Sequence, residues 1–175
     1  ENWTRPAAEV HALMQLVRHV LDAELANLHE NGVRLKHIGR VEGLPGDLVA
    51  RIRKAEALTA QNTRLQLNIA FNYGGRAELV DAVRRIVAEG LPPEAIDEQT
   101  LSDHLYTAGI PDPDLVIRTA GEMRLSNYLI WQAAYAEYYS TPIYWPDFDR
   151  EALYAALVAY QQRDRRFGRV TATAP

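Results

Sequence analysis

The 175-residue sequence contains no cysteine. That absence removes disulfides, thiolate metal sites and cysteine nucleophiles together, and it fits a reducing, cytoplasmic compartment. No apolar run is long enough to span a bilayer, and the mean hydropathy is −0.27. No basic-then-apolar signal peptide opens the chain. An excess of positive charge is missing too. Lys and Arg number 19 against 23 Asp and Glu, for a formal net charge of −4. A chain-wide field for nucleic acid is therefore excluded as a leading reading, and useful positive charge has to be local. The five histidines show no compact metal spacing. Ser126 has no His–Asp partnership visible in the sequence, so a hydrolase triad has little support. There is no internal repeat and no low-complexity tract.

What is present is apolar residue at 47% of the chain, enough for one domain with a real core. Val10, Leu13, Met14, Val17, Leu21, Leu25 and Leu28 recur at three and four, which predicts a helix over 6–30 with one apolar stripe. Pro6 suits its first turn and Asn31-Gly32 its end. Strands are expected at 33–38, 65–71, 114–117 and 143–145. Further helices are expected at 47–61, 77–87, about 97–105, 126–139 and within 148–167. The 126–139 helix is apolar nearly all round and so expected to be buried. Strands alternating with helices argue for an α/β domain with a mainly parallel central sheet flanked by helices.

Chemistry concentrates at two strand-to-helix junctions, the places where open α/β sheets collect ligands. The first is Asn72-Tyr73-Gly74-Gly75-Arg76. Paired glycines allow close backbone approach to an anion at a helix N-terminus; the leading reading of the motif alone is a tight turn that needs positive φ. The second junction runs from Arg118 through Thr119-Ala120-Gly121-Glu122-Met123 to Arg124-Leu125-Ser126-Asn127. Two guanidiniums, a hydroxyl that caps the next helix and free helix N–H groups would converge there as a diphosphate cradle. The competing reading is that each arginine pairs with a carboxylate such as Glu122. A third feature is Glu137, set in an aromatic stretch where a carboxylate needs a cation, either magnesium on a diphosphate or an arginine. The arginines at 163, 165, 166 and 169 form a short basic run suited to a phosphate or subunit contact. Tyr138, Tyr139, Tyr144 and Trp145 read as core or interface.

Taken together, five ordered segments resemble the cis-prenyltransferases, the undecaprenyl diphosphate synthase family. They are Glu1-Asn2-Trp3-Thr4-Arg5-Pro6, Leu67 to Arg76, Asp114 to Asn127, Trp131-Gln132 to Glu137, and Trp145-Pro146-Asp147-Phe148. Ala120, where Ser or Gly is common, and Met123 depart from the pattern without removing a charged group. The resemblance implies condensation of isopentenyl diphosphate with an allylic diphosphate such as farnesyl diphosphate, with a new Z double bond and release of diphosphate. It also implies magnesium, a homodimer, an apolar tunnel for the growing chain and peripheral membrane association through the lipid product, with no nucleic acid partner. By matching motif, Arg118, Arg124 and Ser126 would hold isopentenyl diphosphate, and Glu137 would help bind magnesium, reaching toward a partner subunit's site. Asn2, Trp3 and Arg5 would belong to a loop over the substrates, and Arg166-Phe167-Gly168 to a tail that reaches a neighbouring active site. Leu13, Val17 and Leu21 would line the tunnel.

One family motif, an Asp-Gly-Asn-Gly-Arg segment with the catalytic Asp, has no counterpart here. It would lie upstream of Glu1, which opens inside the next motif. The expectation is a chain short of the first strand and helix of its sheet, with no catalytic residue of its own and inactive alone. A non-catalytic partner subunit and a diphosphate-binding scaffold are the alternatives.

Overall fold

The computed structural model describes residues 6–163. The chain divides into two compact units, one up to Ala108 and one from Gly109.

The first unit runs α1 (Ala7–Glu30), β1 (Val33–Ile38), α2 (Gly46–Thr59), β2 (Leu65–Ala70), α3 (Gly75–Glu89), a 3-10 turn (Pro93–Ala95) and α4 (Glu98–Asp103). β1 and β2 pair in parallel, in register from Val33 opposite Leu65 to Ile38 opposite Ala70. A parallel pair needs a crossover, and α2 supplies it. The core forms where the α1 stripe, β1 and α2 meet: Met14, Leu21, Leu35, Leu44, Leu48, Ile52 and Ala55 are buried together. On α2 the buried face is Leu48, Ile52, Ala55 and Thr59, while Leu58 is exposed. Thr59 earns its burial through hydrogen bonds. Its Oγ1 accepts from Leu35 N at 3.0 Å and donates to Ala55 O at 2.8 Å. The two strands end close together. At Gly39 φ is +138°, and a Cβ there would lie 2.2 Å from Phe71 O, so only glycine fits.

The second unit holds β3 (Leu115–Arg118), a 3-10 turn (Gln132–Tyr135), β4 (Glu137–Ser140), a 3-10 turn (Trp145–Asp147) and α5 (Arg150–Gln161). β3 and β4 are also parallel, from Leu115 opposite Glu137 to Arg118 opposite Ser140. Asp149 caps α5 by accepting from Ala152 N at 2.9 Å.

The α/β class and the parallel pairing agree with expectation; the described strands form two two-stranded ladders. Three expectations in the second unit fail. Residues 126–139 are not a helix. A run that is apolar on every side does not distinguish helix from strand by its period. Here Tyr138 and Tyr139 are taken by the ladder, opposite Val116 and Ile117. Ser126, Asn127 and Leu129 adopt positive φ (51°, 58° and 46°), which no right-handed helix tolerates. The stretch is not uniformly buried either, since Tyr135 is exposed. Residues 143–145 are no strand, and β3 is half-buried throughout. On α5 the buried residue is Ala156, and Leu153 and Leu157 are exposed.

Candidate functional site

Backbone hydrogen bonds build the second junction before any side chain acts. Beyond β3 the chain turns through Ala120 and Gly121, both at positive φ (62° and 67°). Three backbone bonds tie it to the segment after β4. Thr141 N donates to Arg118 O at 2.9 Å, Gly121 N to Thr141 O at 2.8 Å, and Ala120 N to Ile143 O at 2.8 Å. Ser140 Oγ donates to Glu122 O at 3.0 Å. The stem of the loop is therefore continuous with the ladder, and Arg118 and Glu122 project from a fixed frame.

The side chains then converge. Arg118 Nη2 donates to Glu122 Oε2, and Arg124 Nη2 to Glu122 Oε1, so one carboxylate takes a guanidinium on each oxygen. Arg118 Nη2 also lies 3.3 Å from Ser126 Oγ, to which it donates. The Arg118 hydrogen bond, with the charges of Arg124 and Arg118, holds the Glu122 carboxyl below its ordinary value. Arg118, Glu122 and Arg124 border a cavity of about 350 Å³, whose other walls include Val116, Tyr128, Tyr138 and Tyr139. The site thus joins two guanidiniums to an apolar and phenolic wall. The two readings of the arginines coexist in it: Arg118, Arg124 and Ser126 do come together, and Glu122 does pair with both cations. Ser126 does not cap a helix, because no helix follows it. Tyr138 and Tyr139 line this cavity, and Tyr144 and Trp145 are exposed, so none of the four is core.

Glu137 opens β4. Its N donates to Asp114 O at 2.9 Å, and Oε2 accepts from Arg163 Nη1 at 2.6 Å. Arg163 Nη2 also donates to Tyr138 O at 2.8 Å. The arginine partner anticipated as one alternative for this carboxylate is thus present, supplied by the basic run. Among the described residues no group of three or more His, Asp or Glu side chains is placed to hold a metal ion. Asn2, Trp3, Arg5 and Arg166-Phe167-Gly168 lie outside the described residues.

The first junction is built differently from the sequence reading. The positive φ (52°) belongs to Asn72, not to a glycine; Gly74 is extended at −157° and Gly75 begins α3. Asn72 Nδ2 donates to Arg40 O at 2.9 Å and Glu42 O at 3.1 Å, which lashes the end of β2 to the segment after β1. Polar residues not singled out from sequence hold this end of the unit. Glu78, 1% exposed, accepts from the Tyr73 hydroxyl and from Tyr106 N at 2.8 Å. Arg40 forms a two-pronged pair with Asp81 at 2.6 and 2.8 Å, and the Tyr106 hydroxyl donates to the same carboxylate. The Arg40 hydrogen bond pulls Asp81 down to about 2, whereas burial first, then Asp81, pushes Tyr106 up to about 12. A charged residue straight after the strand-ending Gly39 was the available signal for this cluster.

A second cavity, about 210 Å³, sits behind the sheet of the first unit between α1, α2 and the strands. Leu16, Val17, Val20 and Leu21 form its α1 wall; Leu35, Ile52, Ile69 and Phe71 face them. Of the three residues expected to line a tunnel, Val17 and Leu21 border this apolar cavity and Leu13 does not. His37 shares the wall, its Nε2 2.8 Å from Phe71 O.

A family model for undecaprenyl diphosphate synthase matches residues 1–168. The isoprenyl transferase of Heliobacterium mobile is 55% identical over 174 residues, covering 97% of this chain and 67% of that protein. Isoprenyl transferase 2 of Bradyrhizobium diazoefficiens is 49% identical, covering 98% of this chain and 70% of the relative. Among solved structures, lavandulyl diphosphate synthase from Lavandula x intermedia, in complex with dimethylallyl diphosphate, superimposes with a TM-score of 0.91 at 39% identity, over 95% of this chain and 74% of that one. The probable undecaprenyl diphosphate synthase of Campylobacter jejuni gives 0.87 at 31%, over 95% and 78%. With its α/β fold, its paired guanidiniums and this breadth of similarity, the chain belongs to the undecaprenyl diphosphate synthase family of prenyltransferases.

Proposed function

We propose that the chain serves cis-prenyl transfer, joining isopentenyl diphosphate to an allylic diphosphate such as farnesyl diphosphate to make a Z-polyprenyl diphosphate. The observation that carries this reading is that Arg118 and Arg124 share the wall of one tyrosine-lined cavity, with Ser126 hydrogen-bonded to Arg118. Guanidinium forks match phosphate oxygens in number and plane, so these side chains bind and orient the diphosphate of the incoming unit. Tyr128, Tyr138 and Val116 beside them provide apolar surface for its hydrocarbon part. Departure of the allylic diphosphate leaves negative charge on the leaving group, and cations held beside it stabilise that charge. No covalent nucleophile is required, in keeping with a chain that has no cysteine. The cavity behind the sheet, bordered by Val17, Leu21 and Phe71, accommodates the lengthening chain.

Magnesium fits the donor set. Such ions are commonly held by one or two carboxylates plus substrate phosphates, and Glu137 offers one carboxylate that already attracts a cation, Arg163. When bound, the ion supplies further positive charge to the diphosphates. Asn2, Trp3 and Arg5 complete the substrate contacts in this reading. The enzyme works as a cytoplasmic homodimer that meets membranes through its lipid product.

The test uses the full-length protein with magnesium, farnesyl diphosphate and labelled isopentenyl diphosphate. Extended prenyl products are expected, and their absence overturns the reading. Arg118→Ala should raise KM for isopentenyl diphosphate by roughly tenfold or more, the worth of a charged hydrogen bond. An unchanged KM and rate would remove Arg118 from the cradle.

A further inference from the structure

We propose that Glu122 is a charge filter in the diphosphate cradle, a resident carboxylate that an incoming anion has to displace from both arginines. This rests on the cradle reading above and adds an affinity threshold to it. The two oxygens of Glu122 are divided between Arg118 and Arg124, so the carboxylate bridges the same two guanidiniums that a diphosphate would bridge. Its backbone is pinned, by Ser140 Oγ on its carbonyl and by the Gly121 N bond to Thr141 O. Its carboxylate sits at the end of two methylenes, with about a third of the side chain open to solvent. The anchor is fixed and the arm can swing.

The consequence follows from charge and from the number of oxygens. With two guanidiniums and one carboxylate, the cluster carries a net charge of +1. A single phosphate, with about −1.5 to −2 charge, replaces the two charge-assisted bonds of Glu122 with little surplus. A diphosphate brings a second phosphoryl group, spans both guanidiniums and still has oxygens for Ser126. Glu122 thus sets a threshold that a diphosphate crosses and a lone phosphate does not. Met123, 83% exposed, and Arg124, at 68%, leave a solvent route for the displaced side chain.

The experiment measures binding of inorganic phosphate and inorganic diphosphate to the full-length protein by calorimetry at fixed ionic strength. Removing the charge in Glu122→Gln removes a displacement cost common to both anions, so phosphate and diphosphate should each tighten by about tenfold, the worth of one freed charge-assisted bond, and phosphate should bind at concentrations where the native protein excludes it. Glu122→Ala should do the same, and supplies the measurement if the amide variant does not fold. Glu122→Asp keeps the charge and should keep affinities near the native ones. Unchanged affinity for both anions in Glu122→Gln and Glu122→Ala overturns the filter, as does weakening of both, which would make Glu122 a positioning residue only. Arg118→Ala separates the two levels. If it leaves diphosphate binding intact, the cradle itself fails; if it abolishes binding while the Glu122 variants change nothing, only the filter fails.

Discussion

Arg118 and Arg124 are six positions apart in sequence and share one carboxylate in space. Their residue types were readable as phosphate ligands, and Glu122 as a rival partner. The sequence does not say that both arginines reach the same carboxylate, because that depends on the turn at Ala120-Gly121 and on its bonds to Thr141 and Ile143. Asp81 offers a test at the same scale. Its folded pKa, about 2, lies below its ordinary 3.8. A depressed carboxyl contributes stability that is fully present above the unfolded value and is lost as pH falls through the folded one. The Arg40 contact should therefore hold down to about pH 4 and fail between there and pH 2. Denaturation midpoints of Asp81→Asn should lie below those of the native chain at pH 7, and the gap should close toward pH 2. A gap that stays constant would show that the pair does not titrate in this way. His104 works in the opposite sense. The Thr100 carbonyl and then Glu89 raise its pKa above 6.5, because both ring nitrogens face acceptors that only the imidazolium can satisfy together. Its contribution is present below pH 6.5 and is lost as pH rises through the folded value. His104→Gln should flatten that part of the melting-temperature profile.

The helices and strands of the first unit were largely legible. The three-and-four stripe of α1, the alternation of β1 and the Gly and Pro punctuation are local signals that their own residues enforce. The second unit was not, between 126 and 145, since its aromatic stretch satisfies several patterns and the β3 ladder makes the choice. Two substitutions probe how elements are joined. Gly39→Ala places a methyl against Phe71 O in a backbone region that L-residues avoid, and should cost about 2 kcal/mol or more. Thr59→Val keeps the shape and leaves Leu35 N without its acceptor inside the core, at about 1–3 kcal/mol. Urea midpoints check both, and a loss under half a kcal/mol in either case would mean that the junction relaxes.

At the scale of the molecule, charge and apolar surface are unevenly spread. A net charge of −4 coexists with a local excess of positive charge at Arg118 and Arg124. The β1–β2 ladder leaves one edge of β2 unpaired among the described residues, and Leu65, Leu67 and Ile69 are exposed along that strand. An aliphatic strand with an open edge favours association. The polypeptide 1–175, expressed by itself, is therefore expected to sediment as concentration-dependent oligomers, and a strict monomer across a hundredfold dilution would contradict this. The sequence by itself determined the α/β alternation, the absence of thiol chemistry and the motif residues that mark the family, because composition, period and spacing are local properties. Only tertiary structure decided which carboxylate meets which arginine, that a short 3-10 turn and β4 rather than one long helix fill 132–140, and where apolar side chains leave a cavity. Those outcomes depend on partners far apart along the chain, whose meeting no local pattern encodes.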